Sequence, residues 1–124
     1  MADKAEENLA AARLLADTHE HDNAAASRAY YAAYQACWFG MISEGYPVTH
    51  SEHGDYFLHK MLPQQACEAG VLDEEQSEAL EFLEGLRVTA DYHSDHVTNG
   101  QARRACDTAS RLLDHVLGEE RRDG

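Results

Sequence analysis

An all-α fold, an up-down bundle of four to five helices, is what this sequence predicts. Apolar residues recur at three- and four-residue spacing along nearly the whole chain, and no stretch alternates apolar with polar residues as a half-buried strand would. The length, 124 residues, is that of one ordinary domain able to bury a core without disulfides or structural metal. Residues 1–124 are therefore expected to form a single helical domain, with 118–124 as a frayed tail.

The elements follow in order. Ala5, Leu9, Ala12 and Ala16 recur at helical spacing, widened by Leu14 and Leu15, and predict an amphipathic helix over 3–18. The segment His19–Asn23 breaks the pattern, and Asp22 or Asn23 is placed to cap a second helix whose face is Ala26, Tyr30, Ala33, Cys37 and Gly40. Gly45-Tyr46-Pro47 marks a turn, since proline disfavours helix at the residue before it, and the loop is expected to run to about His53. A third helix, interrupted by Gly54 and Pro63, places Phe57, Leu58, Met61 and Leu62 on one side and ends at Gly70. Asp73 and Gln76 have capping-box spacing and open a fourth helix through Leu80, Phe82, Leu83, Leu86 and Arg87 to Tyr92. Thr98 and Gln101 repeat that signature ahead of Ala102, Cys106, Ala109, Leu113 and Val116, with Gly118 expected to end the last helix.

Composition narrows the function. Ten Lys and Arg against 23 Asp and Glu leave a formal charge of -13, whose field repels phosphate backbones and anionic lipid, so any contact with nucleic acid has to be local. Cys37, Cys67 and Cys106 are odd in number and form no CxxC pair. They read as reduced core thiols of a cytosolic protein, not as a disulfide framework or zinc site. The first residues lack the basic and apolar segments of a secretion leader, and no run approaches the roughly 20 apolar residues that span a bilayer. A soluble, cytoplasmic protein without membrane association is expected.

Two segments carry the chemistry. The first, Ser27-Arg28-Ala29-Tyr30-Tyr31-Ala32-Ala33-Tyr34-Gln35-Ala36, resembles the second helix of the HEPN superfamily, usually written as an S-R-A-Y-Y-A-A-F-H-A type run. The second, Leu86-Arg87-Val88-Thr89-Ala90-Asp91-Tyr92-His93, is similar to that family's R-x-x-A-D-Y stretch, here followed by a histidine. The resemblance spans Ala5 to Leu117 and implies the helical-bundle fold. It also implies an activity: active members are metal-independent ribonucleases built on an arginine and a histidine four to six residues apart, for which Arg87 and His93 are the matching positions. An imidazole with a pKa near 6.5 can take the proton of a ribose 2′-hydroxyl, while a guanidinium stabilises charge developing on the phosphorane. Positions six apart on a helix point about 120° from one another, so the pair converges only if the helix unwinds near Tyr92 or a second chain contributes. Arg28, Tyr31, Asp91 and Tyr92 are the supporting or substrate-binding candidates, and no metal or cofactor is called for.

Plainer readings stand beside these. Arg87 and Asp91, at i and i+4, can be an intrahelical ion pair worth about 0.2–0.5 kcal/mol. Tyr30, Tyr31 and Tyr34 suit core aromatics with a polar tip. Arg28 can pair with Glu84 or Asp91 across the bundle, or line a phosphate-binding groove with Arg87. Arg103 and Arg104 read as a solvated face, His59 and His115 as helix residues without an evident partner. His93 and His96, with Asp91 and Asp95, have no established metal-ligand spacing.

The resemblance therefore implies a toxin-type, metal-independent endoribonuclease, acting on RNA as a homodimer and controlled by a minimal nucleotidyltransferase antitoxin. The alternative is a non-catalytic HEPN module that binds a nucleotide or a partner nucleotidyltransferase. Val88, where active members carry a polar residue, and Gln35, where relatives often have histidine, suit the alternative.

Overall fold

The computed structural model describes residues 2–45, 55–92 and 96–123, with backbone alone for 55–60, 92 and 119–123. The elements are α1 (Ala2–Asp17), α2 (Asp22–Ser43), α3 (Asp55–Glu68), α4 (Glu74–Tyr92) and α5 (Asn99–Asp123), and no strand occurs among the described residues. Residues 46–53 of the expected loop, and 93–95 of the His93–Val97 segment that reads as the connection to the last helix, lie outside them.

Helix α2 is the centre of the bundle. Eleven of its 22 residues are buried, more than one helix face supplies, because α1, α4 and α5 all pack on it and α3 touches it. Its alanines let neighbouring backbones come close. Gly40 leaves no room for a side chain, since an added Cβ would lie 2.7 Å from Val116 Cγ1 of α5 and 3.1 Å from Val71 Cγ1. Around α2 the core is completed by Leu9 of α1, Leu62 of α3, Leu80 and Leu83 of α4, and Leu112 and Leu113 of α5.

Local chemistry sets most of the helix ends. Asp73 Oδ1 accepts from the Gln76 N–H (2.8 Å) while Gln76 Oε1 accepts from the Asp73 N–H (2.9 Å), and Thr98 with Gln101 makes the same reciprocal pair at 3.1 and 2.9 Å. Both are the capping boxes read from the sequence. Helix α3 closes on Gly70 at φ +79°, with the Val71 N–H reaching the Ala66 carbonyl (2.9 Å) and the Gly70 N–H that of Cys67 (3.1 Å); the left-handed residue is glycine because a Cβ is strained there. Pro63 sits within α3, and its buried carbonyl accepts the Ser77 hydroxyl at 2.9 Å, which fastens α3 to α4.

Two expectations about boundaries are corrected. The N-cap of α2 is His21, without a side-chain capping bond, because Asp22 and Asn23 are engaged elsewhere. Asn23 Oδ1 accepts the Val97 N–H (2.8 Å), and Asn99 Nδ2 donates to Asp22 Oδ1 (2.8 Å) and the Ala16 carbonyl (2.9 Å). Those bonds lock the start of α5 onto the α1–α2 junction. At the other end, α5 runs through Gly118 to Asp123, where the sequence suggested a stop and a frayed tail. Glycine interrupts a helix only by about 1 kcal/mol relative to alanine, and the residues after it are good helix formers.

Four side chains also differ from the sequence reading. Cys37 and Cys106 are buried, but Cys67 is only half-buried. His115 has a partner: its Nε2–H donates to the Val71 carbonyl at 3.0 Å, since a carbonyl only accepts. Arg103 lies 3.8 Å from Asp17, and Arg104 lies over the Phe82 ring at 4.6 Å, so the pair is not simply solvated.

Candidate functional site

Helix α4 turns Arg87 inward. The residue is 4 % exposed, one turn from Leu83 and beside Leu86 on the buried stripe, so its stem is held in the core and its head meets α2. The guanidinium carbon sits 5.3 Å from the centroid of the Tyr30 ring. Nη2 is 3.5 Å from Glu84 Oε1 and Nη1 is 3.9 Å from Asp91 Oδ2, the carboxylate side chains being 12 % and 32 % exposed. The expected pair with Asp91 is thus present, but Glu84, one turn earlier, is nearer and more deeply buried. Its i, i-3 spacing to Arg87 and the Tyr30 ring were the partners that a pattern search on the arginine alone overlooks.

Tyr30 is 1 % exposed. Burial pushes its hydroxyl far above the usual tyrosine range, Arg87 pulls it partly back and Glu84 raises it. It is a neutral phenol throughout the physiological range. Tyr31 is half-buried, its ring edge-on to Tyr30 at 5.3 Å and to Tyr34 at 6.5 Å, and Tyr34 meets Trp38 edge-on at 5.5 Å. The tyrosine run is a packed aromatic ladder along one side of α2, an arrangement that edge-to-face contacts favour.

Arg28 is elsewhere. Exposed at the α1–α2 seam, it donates from Nη1 to Asn8 Oδ1 (3.1 Å), and Asn8 Nδ2 donates to Gln35 Oε1 (2.8 Å). Residues 28 and 30 point about 200° apart on a helix, so Arg28 joins α2 to α1 while Tyr30 meets Arg87 of α4. It has neither Glu84 nor Asp91 as its partner. Of the other site residues, Asp91 is on the outer side of α4, the Tyr92 side chain and the whole of His93 lie outside the described residues, and His96 Nδ1 is 3.1 Å from Asn23 Nδ2. Among the described residues no group of three His, Cys, Asp or Glu is arranged to hold a metal ion, and no helix is long and apolar enough to cross a membrane. One guanidinium against two carboxylates leaves this cluster formally negative, suited to holding helices together and to presenting an acceptor at Asp91.

The tyrosine run on α2 and the arginine stretch on α4 thus face one another, in a bundle that a family model of the HEPN domain matches over residues 1–120. The chain belongs to the HEPN domain family. No curated protein and no solved structure matches it. The HEPN superfamily includes both ribonuclease toxins and non-catalytic modules, so membership sets the scaffold and leaves the activity to the site.

Proposed function

We propose that this HEPN domain is a non-catalytic module that binds a partner protein, with Arg87 ordering the bundle. One observation carries that reading: Arg87 is 4 % exposed and already held by Glu84, Asp91 and the Tyr30 ring. A phosphodiester would have to displace two carboxylates to reach the guanidinium, against the field of a chain of formal charge -13. Val88 and Gln35 suit the same conclusion. The partner class is the one the resemblance implies, a minimal nucleotidyltransferase acting in trans inside the cell. Purified wild-type protein, Arg87→Ala and His93→Ala, each incubated with labelled RNA and ATP, test it. The expected result is no turnover by any of them; RNA cleavage by the wild type that both substitutions abolish would overturn it.

A second reading rests on the spacing of Arg87 and His93, with five residues between them. There the chain is a homodimeric, metal-independent endoribonuclease under antitoxin control, with two Arg87–His93 pairs meeting across the interface and Arg28, Tyr31, Asp91 and Tyr92 in support. It requires the guanidinium to swing away from Tyr30 and Glu84 when RNA arrives. The same cleavage assay separates the two.

A further inference from the structure

A groove of about 520 Å³ runs between the first turns of α4 and the middle of α5, and it shares no residue with the Arg87 cluster. Its volume is in the range of small-molecule sites. Its floor is Ala79, Phe82, Thr108 and Leu112, with Arg104 and Arg111 on one wall and Glu75 and Glu78 on the other.

We propose that this groove binds a small phosphomonoester that also carries an amine, its phosphate held by Arg104, Thr108 and Arg111 and its ammonium by Glu75 and Glu78. Thr108 is the residue that distinguishes the groove from an ordinary charged surface. It is 7 % exposed and lines the groove, yet its hydroxyl makes no hydrogen bond among the described residues. The hydroxyl is therefore open to the groove, where it can donate to or accept from a ligand oxygen. Arg104 and Arg111 flank it at i-4 and i+3, the spacing that puts side chains on one helix face. Their Cα atoms are about 10.5 Å apart along the axis, within reach of a shared anion for two long side chains. Arg104 lies over the Phe82 ring, which orients its planar fork, and Arg111 is exposed with no ion pair among the described residues.

Three donor side chains suit the three oxygens of a phosphate monoester better than the two of a carboxylate. The opposite wall sets the rest of the ligand. Asp73 and Gln76 are engaged in their capping box, which leaves the exposed Glu75 and Glu78 at the rim. They repel a bare anion and reward an ammonium group, as does the acidic charge of the whole chain.

Calorimetric titration of the full chain at low salt with O-phosphoserine, inorganic phosphate and L-glutamate is the test. O-phosphoserine is expected to saturate a single site, at least tenfold tighter than either of the others. Arg104→Gln and Arg111→Gln, exposed positions that leave the fold intact, should each weaken it tenfold or more, and Thr108→Val severalfold. Glu75→Gln with Glu78→Gln should erase the preference over inorganic phosphate. Absence of saturation at millimolar O-phosphoserine, glutamate binding as tightly, or binding that survives both arginine substitutions would overturn the proposal. None of these results bears on the Arg87 reading.

Discussion

Replacing Arg87 with methionine should lower the stability of this domain by about 3 kcal/mol. Methionine keeps the apolar stem and removes the charge, leaving Glu84, whose side chain is 12 % exposed, as an uncompensated carboxylate in the core. At 3.5 Å and an effective dielectric of ~20, the gross attraction is about 5 kcal/mol. Desolvation offsets part of it. Removing one member of a buried pair costs about 3–5 kcal/mol, and the contact with Asp91, 32 % exposed, is screened and adds little. The lower end of that range, ~3 kcal/mol, therefore includes the stacking on Tyr30, itself worth about 1–2 kcal/mol when desolvated. For 124 residues the unfolding entropy is ~0.26 kcal/mol/K, so the expected drop in melting temperature is about 12 °C. The assay is thermal unfolding by circular dichroism of wild type, Arg87→Met, Glu84→Gln and the double variant. Glu84→Gln should recover ~1–2 kcal/mol in the Arg87→Met background, because it removes the stranded charge. An Arg87→Met protein that melts within about 2 °C of wild type would refute the reasoning, since a guanidinium reserved for RNA contributes little to the free fold.

Four further outcomes are expected. Gly40→Ala should destabilise by about 1–2 kcal/mol in urea titrations, because its Cβ meets Val116 Cγ1 at 2.7 Å, a clash larger than the helix propensity gained; adding Val116→Ala should relieve it. Gly118→Ala should stabilise by ~0.5–1 kcal/mol, since nothing lies within 4 Å of the new Cβ and the helix continues past it; no gain would mean that the helix ends there. Burial pushes the Cys37 thiol from 9.0 up to about 12. The unfolded chain thus ionises first, and stability that is complete below pH ~9 falls by up to ~1.4 kcal/mol per pH unit until pH ~12. Cys37→Ala should flatten that decline, and iodoacetamide at pH 8 should label the half-buried Cys67 ahead of the buried Cys37 and Cys106, read by peptide mass mapping.

Reciprocal signals were the legible ones. The capping pairs Asp73 with Gln76 and Thr98 with Gln101 name two helix starts, because each motif is closed by residues three apart and needs nothing from the rest of the fold. The Ala26–Gly40 face of α2 was equally plain, since small residues at helical spacing have one use, close packing. What depended on distant partners was hidden. Asn23 looked like a cap and instead bonds Val97 across 74 residues of chain, and Arg28 looked ready for α4 and instead bonds Asn8 of α1. Gly118 misled because a single glycine is a weak stop when favourable residues follow. The Arg87 cluster was half visible: Asp91 at i+4 is a local signal, whereas the Tyr30 ring belongs to another helix. The α4–α5 groove left a trace in the spacing of Arg104, Thr108 and Arg111, but polar residues at i, i+4 and i+7 also describe any solvated face until the burial of Thr108 is known.

The bonds from Asn99 to Ala16 and Asp22, and from Val97 to Asn23, have a consequence for biosynthesis. The hairpin of α1 and α2 is synthesised before the segment that clamps its elbow. A nascent chain lacking α5 has one flank of α2 bare and the elbow unfastened, so commitment to the native state waits for α5, and truncations before position 99 should yield aggregation-prone fragments.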